Sequence, residues 1–296
     1  MKIAVIVPVY NAARFLPRCV ASLERQDFRA LAAIFVDDGS TDGSRSVLEG
    51  LKGGPVELQV LSQPNAGVSA ARNAGLERAL SDMSVTHIMF LDADDRYADG
   101  CVARVAAAAE RDPEAVVEFG FTAVDESGRE LRRYPPEGNN VWCRCYPKSV
   151  IGGVRFFTGA NVAEDIAFNL ELSHRRHPRI VRIGEPLYDY TDNPASAMNR
   201  RFTAEDFRRR SALVEYLVGV HSDCVRALGE FARTELPDLL RQFYRQLRRT
   251  ADGESAAAAA EFRRLLRSLR GRGLLRMRRG RLKDFKYHLR FLWMSR

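Results

Sequence analysis

Asp92-Ala93-Asp94 stands directly after the short apolar run at residues 87–91, and with Asp95 it places three carboxylates within four residues. Hard oxygen ligands of this kind hold Mg²⁺ or Mn²⁺ while substrate phosphates complete the shell. An acidic edge receives a phosphate only with a divalent cation between them, so a nucleoside diphosphate is the natural ligand of such a turn. Taken alone, Asp-x-Asp after a strand also serves as a turn or a helix cap. Three further groups tip the balance toward nucleotide chemistry: Tyr10 after one apolar run, Asp37-Asp38 after another, and Arg72 on a helical segment that follows Gln63-Pro64-Asn65-Ala66-Gly67.

The elements that must position these groups are legible as alternating patterns. Residues 3–9, 32–36, 56–61 and 87–91 are apolar runs short enough for strands. Between them Phe15, Cys19, Val20 and Leu23, then Val47, Leu48 and Leu51, then Val68, Ala71, Leu76, Ala79 and Leu80 recur at helical spacing. Alternating strands and helices predict a parallel sheet covered on both faces, with ligands at the carboxyl ends of its strands. Further on, the pattern predicts a helix around residues 102–109, a strand over 115–124, a helix opening at Glu164-Asp165 and an extended piece over 180–190. From Thr203 the chain reads as helical, beginning with a Thr203-x-x-Asp206 capping box and interrupted at Pro237 and around Gly271 and Gly273. No topology follows from residues 129–163.

Composition narrows the class. With 296 residues, 46% apolar and 28% charged, the chain is neither a disordered polymer nor a collagen-like fibre. Its net charge of +8 is uneven: residues 261–296 carry 13 Lys and Arg against two acids, leaving residues 1–260 at −3. Five widely spaced cysteines argue against a disulfide framework, and Cys143-Arg144-Cys145 lacks the second pair that zinc would want. The first seven residues read as a buried strand rather than a signal peptide, and no stretch approaches the ~20 apolar residues of a spanning helix. The expected location is the cytoplasm, with peripheral attachment to the membrane's cytoplasmic face through the basic tail as an option.

In chain order, Val7-Pro8-Val9-Tyr10-Asn11, Val36-Asp37-Asp38-Gly39-Ser40-Thr41-Asp42, Asn65-Ala66-Gly67 with Ala71-Arg72-Asn73-Ala74-Gly75, and Phe90-Leu91-Asp92-Ala93-Asp94-Asp95 resemble the motifs of the family 2 glycosyltransferases. Glu164-Asp165 with Phe168 and Pro186-Leu187-Tyr188-Asp189-Tyr190 continue the match, which covers roughly residues 3–200. The resemblance implies an α/β fold of GT-A type, a nucleotide-binding α/β/α sandwich with a mostly parallel central sheet. A catalytic domain over residues 1–202 would then carry a C-terminal helical extension over residues 203–296.

The same resemblance implies individual roles. Pro8 and Tyr10 would contact the nucleotide, with Tyr10 stacked on the base, where an aromatic face supplies area at little entropic cost. Asp38 would accept the imide N–H of a uracil, Asp92 would bind the ribose hydroxyls, Asp94 would hold Mg²⁺ or Mn²⁺, and Arg72 would lie near the ribose and diphosphate. The donor is then a UDP-sugar and the acceptor a glycan or lipid-linked glycan. Inverting transfer needs a carboxylate to deprotonate the acceptor hydroxyl, and the resemblance gives that role to Asp165, with Glu164 orienting it or binding acceptor. Trp142 and Tyr146 fall about where related enzymes carry aromatics near the acceptor. The loop of residues 191–201 could close over the diphosphate, with Arg200 or Arg201 supplying positive charge.

Two other readings remain beside this one. A sugar nucleotidyltransferase usually needs a Gly-rich, Arg-containing phosphate loop after the first strand, which Pro8-Val9-Tyr10-Asn11 is not. A non-catalytic, membrane-associated nucleotide-binding module keeps the fold, and the intact carboxylate set argues against it. In the basic tail, Phe262, Leu265, Leu266 and Leu269 share one helical face, and Leu282, Phe285, Leu289, Leu292 and Trp293 form a second apolar set. Such basic amphipathic segments suit an anionic membrane surface or a packed helical subdomain. Nucleic acid is not expected as a partner, since no recognition motif accompanies the charge.

Overall fold

The computed structural model describes all residues except 52, 137, 160–162, 194–200, 251, 276–293 and 295–296. Its first strand, β1 (Ile3–Val9), is apolar throughout, and its first five residues are wholly buried, as a strand covered on both faces requires. The elements then alternate: α1 (Leu16–Glu24), β2 (Leu31–Asp37), α2 (Ser44–Gly50), β3 (Glu57–Ser62), α3 (Val68–Ser81) and β4 (His87–Phe90). There follow β5 (Arg96–Tyr97), α4 (Cys101–Arg111), β6 (Val116–Val124), β7 (Glu130–Tyr134), β8 (Arg144–Pro147), α5 (Lys148–Ile151), α6 (Glu164–Arg176) and β9 (Ile180–Thr191). The last helices are α7 (Ala204–Val220), α8 (Val225–Thr234), α9 (Leu236–Gln246) and α10 (Ser255–Gly271).

The strands form one sheet in the order β3-β2-β1-β4-β8-β6-β9-β5, with β7 paired to β6. The half that carries β3, β2, β1 and β4 is parallel, as the alternation of strands and helices predicts. The half for which no topology was expected begins with β8, which enters antiparallel between β4 and β6. There Arg144 lies opposite Glu118 in register, and its guanidinium bonds the Glu118 carboxylate at 2.9 Å. Arg182 on β9 bonds the other oxygen of Glu118 at 2.9 Å. A charged strand can therefore be buried here because each charge meets its partner across the ladder.

Glycine sets the spacing between sheet and helix at one point. A Cβ added to Gly75 on α3 would stand 2.4 Å from Cγ2 of Ile6 on β1, so α3 lies closer to the sheet than any side chain there would permit. All five cysteines are free thiols, in keeping with the absence of a disulfide framework expected from their spacing; four are buried and Cys224 is exposed.

The chain divides into two compact units, Met1–Thr158 with Phe168–Ser196, and Gly159–Ala167 with Ala197–Arg296. Within the second, the expected capping box is present: Thr203 Oγ1 accepts from the Asp206 backbone, and Asp206 Oδ2 accepts from the Thr203 N–H at 2.8 Å. Phe262, Leu265, Leu266 and Leu269 are buried, and α10 packs against α7. The first apolar stripe of the basic tail is thus core, which removes it from the surface offered to a membrane; the second set, at 282–293, lies outside the described residues. Among the described residues no helix is long and apolar enough to cross a membrane.

Candidate functional site

Parallel register carries the site residues to one edge. Val9 on β1 lies opposite Asp37 on β2, Asp37 opposite Ser62 on β3, and Ile6 on β1 opposite Phe90 on β4. The residues just beyond these strand ends, Tyr10, Asp38, Gln63 and Asp92, therefore emerge side by side. Pro8 sits within β1, one residue before its end. Tyr10 is 52% exposed, an aromatic face held at the carboxyl edge of the sheet.

The loops after β1 and β2 are fastened together. Asn11, at φ +50°, accepts through Oδ1 from the backbone N–H of Thr41 at 2.8 Å, and its own N–H donates to Ser40 Oγ at 3.1 Å. Gly39 takes φ +71°, and a Cβ there would stand 2.8 Å from the Asn65 nitrogen. That close approach lets the Asp38 carboxylate, only 3% exposed, gather the turn before α3. Its Oδ1 accepts from Gln63 Nε2 at 2.7 Å and from Ala66 N–H at 2.9 Å, and its Oδ2 from Gly67 N–H at 2.8 Å. Asp38 thus shapes the loop that leads into α3.

Arg72 on the first turns of α3 reaches Asp92, with Nη2 donating to Oδ1 at 2.8 Å; its side chain is 4% exposed and that of Asp92 27%. The guanidinium also lies over the Phe156 ring, 5.4 Å from its centroid. Asp94 follows two residues on. Burial, then the neighbouring Asp92 carboxylate, push the Asp94 carboxyl above its ordinary range, against the opposing pull of Asn193 and Arg18.

The turn that carries these carboxylates is held by groups that the sequence patterns do not reveal. Tyr188 on β9 accepts the Asp92 backbone N–H at 3.2 Å and donates to Asp95 Oδ2 at 2.7 Å, while the Thr191 N–H donates to Asp95 Oδ1 at 2.7 Å. Asp95 is a buried clasp between the acidic turn and β9. Burial and the charges of Asp94 and Asp92 raise its carboxyl well above the ordinary range. Arg18 on α1 donates to the Asp94 carbonyl at 2.7 Å and to Thr191 Oγ1 at 3.1 Å. Tyr188 lies in a recognised motif, but its partner is 96 residues away, and no periodicity encodes such a pairing.

The remaining expected residues fall elsewhere. Tyr146 is wholly buried, donates to Asn169 Oδ1 at 2.8 Å and packs edge-on against Phe90 and Phe168, so it is a core residue. Trp142 is buried and stacks on Tyr188 with ring centroids 4.5 Å apart. Glu164 and Asp165 open the first turn of α6 in the second unit, directly after Ala163 at φ +67°. There Asp165 Oδ1 accepts the Ile166 N–H at 2.9 Å. Arg201 pairs with Asp252 at 2.6 Å, while Arg200 and the rest of the expected closing loop, 194–200, lie outside the described residues.

Residues 4–163 match the family described as Glycosyl transferase family 2. Among curated relatives, the uncharacterized glycosyltransferase EpsJ of Bacillus subtilis is 29% identical over 221 residues, covering 66% of this chain and 62% of the relative. Glycosyltransferase GlyA of Streptococcus pneumoniae is 39% identical over 94 residues, 32% of this chain and 13% of its own length. The chain thus spans less than two thirds of these relatives. Among solved structures, S. aureus TarS 1–349 in complex with UDP-GlcNAc superimposes with a TM-score of 0.64 at 18% identity, covering 93% of this chain and 88% of that one. The mannosyltransferase PcManGT of Pyrobaculum calidifontis, in complex with GDP-Man and Mn²⁺, gives 0.54 at 15% identity, covering 99% and 85%. At these identities the likeness establishes the GT-A fold.

Proposed function

Since the chain belongs to glycosyl transferase family 2, we propose that it is an inverting transferase moving a sugar from a UDP-sugar to a glycan or lipid-linked glycan acceptor. Residues 1–202 form the catalytic portion in this reading and residues 203–296 a helical extension. The observation that carries it is that parallel register brings Tyr10, Asp38 and the turn of Asp92 and Asp94 to one strand edge, where Arg72 reaches Asp92 from α3. The TarS complex with UDP-GlcNAc, on the same fold, supports a uridine donor.

In this reading Asp94, with Asp92 beside it, would hold the cation, and because no third protein carboxylate, histidine or cysteine joins them among the described residues, the donor's phosphates would complete its shell. Burial and the neighbouring Asp92 carboxylate both disfavour a charged Asp94, a penalty that a bound cation would offset. One or two carboxylates completed by substrate phosphates is the donor set that Mg²⁺ favours, and Mn²⁺ takes the same ligands. When bound, Mg²⁺ or Mn²⁺ would offset the charge that develops on the departing diphosphate.

The chain's own residues do the rest. Tyr10 covers the base, Asp38 accepts its imide N–H, Asp92 accepts ribose hydroxyls, and Arg72 adds positive charge beside the diphosphate. Asp165 takes the proton of the acceptor hydroxyl as its oxygen bonds to the anomeric carbon, and the bond from that carbon to the diphosphate breaks, releasing UDP. The first turn of α6 suits an ionised Asp165, because the helix N-terminus favours negative charge. Thermal stabilisation by a panel of UDP-sugars identifies the donor, since bound ligand raises stability by mass action. With that donor and its acceptor, Asp165→Asn keeps donor binding and abolishes transfer; substantial residual transfer removes Asp165 as the base.

A further inference from the structure

Asn193 lies two residues beyond β9 and is 6% exposed. Its Nδ2 donates to Oδ2 of Asp94 at 3.3 Å, and its Oδ1 accepts from Nη2 of Arg14 at 3.4 Å. Arg14 is tied in turn to Glu126 at 3.1 Å. A neutral amide therefore links the Asp94 carboxylate to the Arg14–Glu126 pair, with 99 residues of sequence separating it from the carboxylate it touches.

We infer that Asn193 is a positioning residue for the cation site, fixing the Asp94 carboxylate in the orientation that receives Mg²⁺ or Mn²⁺; the inference rests on the reading of Asp94 given above. A hydrogen bond to one carboxylate oxygen fixes the plane of the group and hence the place of the other oxygen. An amide does this without adding positive charge that would compete with the cation. Arg18 meets the same turn through its backbone instead, with Nη2 donating to the Asp94 carbonyl at 2.7 Å. Groups that orient a ligating carboxylate in this way change metal affinity by about 10- to 100-fold when removed.

The test is calorimetric titration of UDP in MnCl₂ and in EDTA, on the full chain and on Asn193→Ala, Arg14→Ala and Asp94→Ala. Asn193→Ala should weaken binding in Mn²⁺ about tenfold or more while leaving the EDTA affinity within about twofold. Arg14→Ala, on an exposed side chain, should weaken only the Mn²⁺ arm, by about threefold, and decides the matter if Asn193→Ala does not fold. Equal losses in both media would mark a merely structural residue and overturn the inference. So would unchanged Mn²⁺ binding in Asn193→Ala alongside loss of the cation-dependent increment in Asp94→Ala, an outcome that leaves the proposed function standing. Retention of that increment by Asp94→Ala would remove the cation reading itself.

Discussion

Arg72→Ala separates the structural and electrostatic parts of the site in one experiment. The pair it breaks joins a side chain 4% exposed to one 27% exposed at 2.8 Å. A charge-assisted hydrogen bond of this kind contributes about 1.5–3 kcal/mol, and the partial exposure of Asp92 keeps the loss near the lower end, because water can resolvate the stranded carboxylate. Losing the contact of the guanidinium with Phe156 adds about 0.5–1 kcal/mol. The variant should therefore lose about 2–3 kcal/mol and melt roughly 4–10 °C lower. Its ligand response has opposite signs for the two partners of the site. With the guanidinium gone, Asp92 and Asp94 face no fixed positive charge from α3, so Mn²⁺ alone should bind tighter, while UDP in EDTA should bind weaker, each by about tenfold. Differential scanning fluorimetry and calorimetric titration of MnCl₂ and UDP read all three quantities. A melting point within about 1 °C of wild type, with both affinities within about twofold, would refute the reasoning.

Four further variants test other features of the structure. Gly39→Ala places a methyl group 2.8 Å from the Asn65 nitrogen at φ +71° and should cost about 2–4 kcal/mol and weaken UDP binding. Gly53→Ala, with φ +97° and open space around it, should cost only about 1 kcal/mol in thermal melts and spare UDP binding. Thr203→Ala removes the capping box of α7 and should lower stability by about 1 kcal/mol in urea titration, without altering UDP affinity. His87 is held below its ordinary pKa of 6.5 by burial, with the N-terminal ammonium adding slightly and the Pro113 carbonyl and Glu114 opposing. Because the unfolded chain takes up that proton first, the stability this histidine contributes is complete above pH 6.5 and is lost as pH falls toward its lower folded value. Urea midpoints measured between those limits should fall less steeply in His87→Gln than in wild type; parallel slopes would exclude His87 as the source.

The parallel half of the fold is legible because β1, β2 and β4 are buried on both faces and so read as apolar runs, beside the half-buried edge strand β3, with chemistry confined to the residues after them. The turn at Asp37-Asp38-Gly39 and the turn at Asp92 to Asp95 stand out for the same reason. Strand β8 is not legible: Arg144 and Pro147 contradict strand patterning, and its burial depends on Glu118, 26 residues earlier, with Arg182 pairing the same carboxylate from β9. Tyr146 illustrates the converse, since an aromatic residue of acceptor-site type proves to be core once β8 is seen between β4 and β6. The carboxylates of the site can be named from sequence, whereas the contacts by which Tyr188, Arg18 and Asn193 hold them cannot. Their contacts with the acidic turn span 76 to 99 residues and join side chains to backbone as often as to each other. The basic tail shows how a helical stripe reads alike for two destinations. Phe262, Leu265, Leu266 and Leu269 suit a membrane or a helical core, and burial in the second unit selects the core for this segment.

The measurement that bears most directly on the proposed function is the affinity of the wild-type chain for UDP with Mn²⁺ and with EDTA. A uridine diphosphate held at the Asp92–Asp94 edge through a cation should bind at least about tenfold tighter in Mn²⁺, and Asp94→Ala should bring the two values together. Equal affinity in both media, or no UDP binding in either, would contradict the account of this edge as a cation-assisted nucleotide-sugar site.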